Sequence, residues 1–162
     1  MPKVGIIISN YNGWQDTLVC LESLQRQTFT DFEIILIDDA SPNDSVAQLQ
    51  DKLPPNTVFL PQQQNVGFAA ANNIGMRLAL ERGYDFVYLL NQDAWVEKDT
   101  LSTLVAAARP DYGILSPVQN DASGRLDPWF SRKCSRYLKA ASAVAPDPRL
   151  VVDVPFVMAA HW

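Results

Sequence analysis

The residues with chemistry to offer stand where apolar runs stop. Phe86-Val-Tyr-Leu-Leu90 runs without charge into Asn91, Gln92 and Asp93, and a carboxylate at the end of a buried strand is costly unless something there uses it. A divalent cation holding phosphate oxygens is one such use, and capping the helix that follows is another. Glu33-Ile-Ile-Leu-Ile37 stops in the same way at Asp38 and Asp39, and Val4-Gly-Ile-Ile-Ile8 stops at Ser9-Asn-Tyr-Asn12. A further polar break, Gln62 to Asn65, leads into Val66-Gly-Phe-Ala-Ala-Ala71. These side chains suit a narrow chemistry. Asp39 can accept from an imide or amino N–H of a base, and Tyr11 can lie against a ring. The small residues from Gly67 let a ligand approach N–H groups at the positive end of a helix, or else simply pack that helix on a sheet. With a metal on Asp93, the set describes a nucleoside diphosphate.

Positioning these groups requires strands and helices in alternation. The apolar runs are continuous rather than alternating, which suits strands covered on both faces of a parallel sheet. Strands are expected at Val4–Ile8, Glu33–Ile37, Thr57–Leu60 and Phe86–Leu90, with a weaker fifth at Gly113–Val118 and a short last one at Val151–Val154. Leu18, Leu21 and Leu24 mark a first helix with Asp16 as its cap, and Ser45–Leu53 a second, stopped by Pro54-Pro55. A third carries Ala71, Ile74 and Leu78 and ends at Gly83. Leu101, Leu104, Val105 and Ala108 mark a fourth over Lys98–Arg109. Asn120 to Gly124 reads as a hairpin turn, and Arg125 to Pro148 as loop with a short helix over Ser135–Val144. The fold class is therefore α/β, a mostly parallel sheet with helices on both faces. Ligands of such sheets bind outside the carboxyl ends of the strands, so Ser9 to Asn12, Asp38 and Asp39, Asn65 and Gly67, and Asn91 and Asp93 gather along one edge.

Composition narrows the function classes. At 162 residues and 48% hydrophobic, the chain suits one well-packed domain. Its net charge of -5 argues against a nucleic-acid binder, which needs a basic face. Cys20 and Cys134 read as two free thiols of a reducing compartment rather than as a disulfide or a metal site. The run Val4–Ile8 is too short for a signal peptide, and no run approaches the roughly 20 apolar residues of a membrane span; a cytoplasmic protein without a transmembrane segment is expected. No Gly-Lys-Ser/Thr P-loop and no Gly-x-Gly-x-x-Gly is present. A phosphoacceptor receiver domain would want its acidic pair after strand one.

Val4-Gly-Ile-Ile-Ile-Ser-Asn-Tyr-Asn12, Ile37-Asp-Asp-Ala-Ser41, Asn65-Val-Gly-Phe-Ala-Ala-Ala-Asn-Asn73 and Leu89-Leu-Asn-Gln-Asp-Ala94 resemble, in order, the successive blocks of family 2 glycosyltransferases, inverting enzymes of the Rossmann-like GT-A fold. The Asn-Val-Gly-Phe-Ala block and the Asn-x-Asp form at Asn91 to Asp93 resemble most the branch that builds rhamnose-containing and other bacterial surface polysaccharides. The resemblance implies a single GT-A domain over 1–162, with a donor core at 1–118 and the start of an incomplete acceptor side at 119–162. It implies transfer of a sugar from a UDP- or dTDP-linked donor, with Mg²⁺ or Mn²⁺ on Asp93. Ser9, Tyr11, Asn12, Asp38, Asp39, Asn65, Gly67 and Asn91 would line the nucleotide site, with Tyr11 and Asp39 on the base and Asn91 on sugar or ribose. The implied acceptor is a saccharide or lipid-linked saccharide hydroxyl, with peripheral association at the inner face of the cell membrane and homo-oligomers among the expectations. One departure stands out: the Glu-Asp pair that supplies the family's base has no counterpart after Asp93. With the apolar ending Ala159-Ala-His-Trp162, this suggests a chain cut short of its base, leaving Asp121, Asp127, Asp153 and His161 as weak substitutes. The alternatives are a nucleotide-sugar-binding module without catalysis and a sugar nucleotidyltransferase, which would need a Gly-rich basic loop after strand one.

Overall fold

A computed structural model describes residues 2–121 and 123–142. The chain divides into two compact units, Met1–Asp99 and Thr100–Trp162.

The first unit holds β1 (Val4–Asn10), α1 (Trp14–Gln25), β2 (Phe32–Asp38), α2 (Ser45–Gln50), β3 (Thr57–Pro61), α3 (Phe68–Glu81) and β4 (Phe86–Leu89). Its four strands are all parallel, in the order β3-β2-β1-β4. The chain thus steps outward from β1 through β2 to β3, then returns through α3 to pair β4 with the other side of β1. The reversal lies between β1 and β4, and such a switch point opens a crevice beyond the carboxyl ends of those two strands.

Side-chain alternation assigns the two faces of the central strands. Ile7, Ile35 and Ile37 point to one face and form a buried cluster with Ala71 and Ala79 of α3. Gly75 lets α3 approach closely, since a Cβ there would lie 2.6 Å from Ile7 Cγ2. Ile6, Ile8, Ile34 and Leu36 point the other way and are equally buried. Asn10 shares their face and accepts the Thr17 hydroxyl at 2.8 Å, which places α1 on that side. Helices therefore cover both faces of β1 and β2, as their unbroken apolar runs require.

β4 departs from the expectation of a buried strand: Phe86, Val87 and Leu89 are 39, 42 and 48% exposed. Among the described residues it pairs only with β1 and so stands at the end of the sheet, and apolar character by itself does not distinguish an end from a centre. Asp16 sits in the first turn of α1 rather than at its cap, which is Gly13 with no side-chain hydrogen bond.

The second unit contains α4 (Thr100–Ala107) and α5 (Pro128–Ser142). Gly113–Val118 forms no strand and pairs with none of the described strands, and Pro117 withholds a ladder donor. Asn120 and Leu126 form an isolated antiparallel bridge, in keeping with the expected hairpin turn. α5 starts seven residues before Ser135, because Asp127 accepts the Phe130 N–H at 2.9 Å as a cap and Pro128 fits the first helical position. Val151–Val154 lies outside the described residues.

Candidate functional site

Register sets the site. β1 and β2 pair down to Asn10 opposite Asp38, so the two strands release their loops side by side. Asp38 is fully buried: its Oδ2 accepts from Asn10 Nδ2 at 2.6 Å and from the Ser41 hydroxyl at 2.8 Å, and its Oδ1 accepts the Ser41 N–H at 2.9 Å. Ser41 Oγ in turn accepts the Asn12 N–H at 2.9 Å. Asp38 therefore offers the cleft no surface; it welds the loop after β2 to the loop after β1. Both loops turn sharply here, with Asn12 and Ala40 at φ 59° and 56°. An alanine in that region is uncommon and strained, and such strain collects at sites where the surroundings over-determine the backbone.

Asp39 clamps a third loop. Its Oδ1 accepts the Val66 N–H at 2.8 Å and its Oδ2 the Gly67 N–H at 2.9 Å, while Asn65 Oδ1 adds 3.1 Å to the same Gly67 donor. Gly67, at φ 84° and ψ 155°, adopts a backbone almost confined to glycine. The amides expected to face a phosphate at the start of α3 are thus engaged by Asp39, and Ala71 packs in the core. Asp39 itself is 3% exposed.

The fourth loop follows β4, and α1 laces it down. The Cys20 thiol donates to the Asn91 carbonyl at 3.6 Å, the Val96 N–H donates to Ser23 Oγ at 3.2 Å, and Gln27 Nε2 donates to the Glu97 carbonyl at 2.7 Å. At its centre Gln92 Oε1 accepts the Tyr11 N–H at 2.7 Å, spanning the switch point from β4 to β1. A Cβ on Gly13 would overlap the Gln92 amide nitrogen, so a side chain one turn along would displace this bridge.

Tyr11 and Asp93 are exposed at this edge, together with Asn12 and Asn65. The Tyr11 ring is 46% exposed, and Asp93 is exposed with no hydrogen bond or ion pair among the described residues. Its charge is nonetheless felt inside: burial pushes the Cys20 thiol up to about 12, and Asp93 adds to the rise. Among the described residues no three His, Cys, Asp or Glu side chains converge on a common point. Asp93 alone is one hard oxygen ligand, which suits a cation that takes its remaining ligands from phosphate and water rather than from a protein cage.

The structure thus gathers Ser9, Tyr11, Asn12, Asp38, Asp39, Asn65, Gly67, Asn91 and Asp93 at the carboxyl ends of β1, β2 and β4 and at the entry to α3. Sequence reasoning gave Gln92, Asn10, Thr17 and Ser41 no individual role, although they position the others; Gln92, Asn10 and Ser41 stand inside the polar blocks at the strand ends, and nothing marked Thr17. Asp121 is tied into its own turn by the Ser123 and Arg125 N–H groups, and Asp127 caps α5. Asp153 and His161 lie outside the described residues. Cys20 and Cys134 are free and buried.

The profile of the family described as glycosyl transferase family 2 matches residues 5–156. Chondroitin synthase from Escherichia coli is 32% identical over 116 residues, 70% of this chain and 16% of that protein. A GalNAc(5)-diNAcBac-PP-undecaprenol beta-1,3-glucosyltransferase from Campylobacter jejuni is 31% identical over 137 residues, 82% of this chain and 43% of that one. Among solved structures, a mannosyltransferase from Pyrobaculum calidifontis in complex with GDP-Man and Mn²⁺ superposes with a TM-score of 0.64 at 23% identity, covering 74% of this chain and 36% of the other. The chain spans well under half of each of these proteins.

Proposed function

The chain belongs to glycosyl transferase family 2, and from that premise we propose that its polar edge binds a UDP- or dTDP-linked sugar whose glycosyl group passes, with inversion, to an acceptor hydroxyl. The observation that carries this reading is the contrast between Asp93 and its neighbours. Asp38 and Asp39 are buried and each accepts hydrogen bonds from the protein, whereas Asp93 stands exposed beside the switch point on a loop held at four places. A carboxylate kept free on a fastened loop suits an external cation.

In this reading Asp93 holds Mg²⁺ or Mn²⁺, and the metal, when bound, neutralises the diphosphate as it leaves. The remaining work falls to the chain. Tyr11 offers its ring to the base, and Asp39 accepts a base N–H with lone pairs that Val66 and Gly67 leave open, since a carboxylate has about four acceptor sites. Ser9, Asn12, Asn65 and Asn91 supply polar contacts to ribose, phosphate and sugar, and Asp38 holds Asn12 in place through Ser41. The metal reading is supported by the Mn²⁺ complex of the P. calidifontis enzyme, and a lipid-linked saccharide acceptor by the name of the C. jejuni relative. A rhamnosyl donor is the finer choice that the Asn65–Ala71 block favours.

Among the described residues none is assigned as the base that deprotonates the acceptor, because Asp121 and Asp127 are engaged elsewhere. In this reading the described residues act as a donor-binding module. Calorimetry with UDP, dTDP and GDP, each with and without Mn²⁺, tests the reading. Metal-dependent binding of a pyrimidine diphosphate is the expected result, and absence of binding by all three overturns it.

A further inference from the structure

Helix α5 carries a charge pattern that the nucleotide site does not use. Over Pro128–Ser142 it contains Arg132, Lys133, Arg136 and Lys139 and no acidic residue. The chain as a whole is at -5, so everything outside those four residues sums to -9. Concentrating cations in one short helix of an acidic protein is the opposite of a mixed, merely solvated face.

The helix also sorts its residues by face. Phe130 and Cys134, four apart, are 7 and 5% exposed and form the inward stripe. Trp129, Arg132, Lys133 and Arg136 stand at i, i+3, i+4 and i+7 and form an outward one. Trp129 is 55% exposed, with the Arg132 guanidinium 5.2 Å and the Lys133 ammonium 6.0 Å from its ring. None of the ion pairs among the described residues engages Arg132, Lys133 or Arg136.

We infer that this stripe docks the protein on an anionic lipid bilayer. Clustered Lys and Arg on an amphipathic helix are drawn to the negative surface of a membrane. An exposed Trp flanked by cations matches the interface, where the indole body meets acyl chains and its N–H meets headgroups. A nucleic acid fits less well, because three exposed cations on a strongly acidic protein neutralise few phosphates against a large repulsion. No helix among the described residues is long and apolar enough to cross a membrane, and a stripe of this kind lies in the plane of the interface. The inference does not rest on the nucleotide reading.

The test is co-sedimentation of the 162-residue chain with vesicles of phosphatidylcholine alone and with about one-third phosphatidylglycerol. The expected result is binding to the anionic vesicles only, abolished near 0.5 M salt, where the Debye length has shrunk to a few ångströms (roughly 4 Å). Arg132→Gln/Lys133→Gln/Arg136→Gln should lower the partition coefficient by about fivefold per charge, roughly a hundredfold in all, with an unchanged melting temperature because these side chains are exposed. Equal partition to neutral and anionic vesicles overturns the inference. So does a triple variant that binds like the parent, or a parent that ignores vesicles while binding a double-stranded oligonucleotide or self-associating through these residues.

Discussion

The side-chain amide of Gln92 lies against the main chain of Tyr11, with Oε1 accepting the Tyr11 N–H at 2.7 Å and Nε2 3.4 Å from the Tyr11 carbonyl. The residue between Asn91 and Asp93 is therefore a tie across the switch point, holding the proposed base platform to the proposed metal loop. Gln92→Ala should cost about 1 kcal/mol, the net worth of a typical hydrogen bond, and lower the melting temperature by about 3 °C for a chain of this size. Nucleotide binding should weaken about threefold to tenfold, because Tyr11 then has to be ordered by the ligand. Calorimetry and thermal melting check both, and unchanged affinity would show that Tyr11 is held without Gln92.

Asp39 combines two tasks in this account, clamping Val66 and Gly67 and reading the base. Asp39→Ala should weaken UDP or dTDP by tenfold to a hundredfold, a range of about 1.4–2.8 kcal/mol. Binding as tight as the parent's would confine Asp39 to the clamp and move the base pocket elsewhere.

Asp38 differs, because it is fully buried and its partners are all protein groups. Asp38→Ala leaves the Ser41 N–H without its acceptor and the Asn10 amide with only Ser41 Oγ at 3.3 Å, and should destabilise the chain by about 2–4 kcal/mol. Urea unfolding measures this. A loss below about 0.5 kcal/mol, typical of an unremarkable surface position, would mean that the two loops are not welded through this carboxylate.

Cys20 gives a pH dependence whose sign is fixed. Burial, with Asp93 adding, pushes its pKa up from the ordinary 9.0 to about 12, so the folded chain keeps a proton that the unfolded chain releases. Its contribution to stability is complete below pH 9 and is lost as the pH rises toward 12. Between about pH 8 and about pH 10.5 the parent should lose roughly 2 kcal/mol more than Cys20→Ala. Equal losses in urea titrations of the two proteins would show that the thiol is open to solvent.

How far the sequence announced all this depends on the kind of signal. Ile6 to Ile8 and Ile34 to Ile37 are unbroken apolar runs that only a strand buried on both faces explains, and β1 and β2 stand there. The polar residues at the strand ends were legible for the same reason, being conspicuous where they interrupt apolar sequence. Phe86 to Leu89 looked identical to those runs yet forms an edge, because burial on a sheet depends on strand order and not on composition. Asp38 and Asp39 are chemically equivalent in sequence; the structure separates them, since strand pleating turns one into the Asn10 network and the other toward the start of α3. Gln92 was unreadable because its role is a hydrogen bond to a main chain 81 positions away, and main-chain partners leave no mark on the partner's identity. The early start of α5 hid behind Arg132 and Lys133, whose charges masked the Phe130 and Cys134 stripe.

The account turns on Asp93 as the free carboxylate that ties a nucleoside diphosphate to a divalent cation. The most direct measurement is calorimetric titration of UDP and dTDP into the parent and into Asp93→Asn, each in excess Mn²⁺ and in excess chelator. The account predicts that the parent loses at least tenfold in affinity, about 1.4 kcal/mol, when the metal is removed, and that Asp93→Asn binds weakly and equally in both conditions. Equal affinity of the parent with and without metal would contradict it, as would a metal dependence that survives in Asp93→Asn.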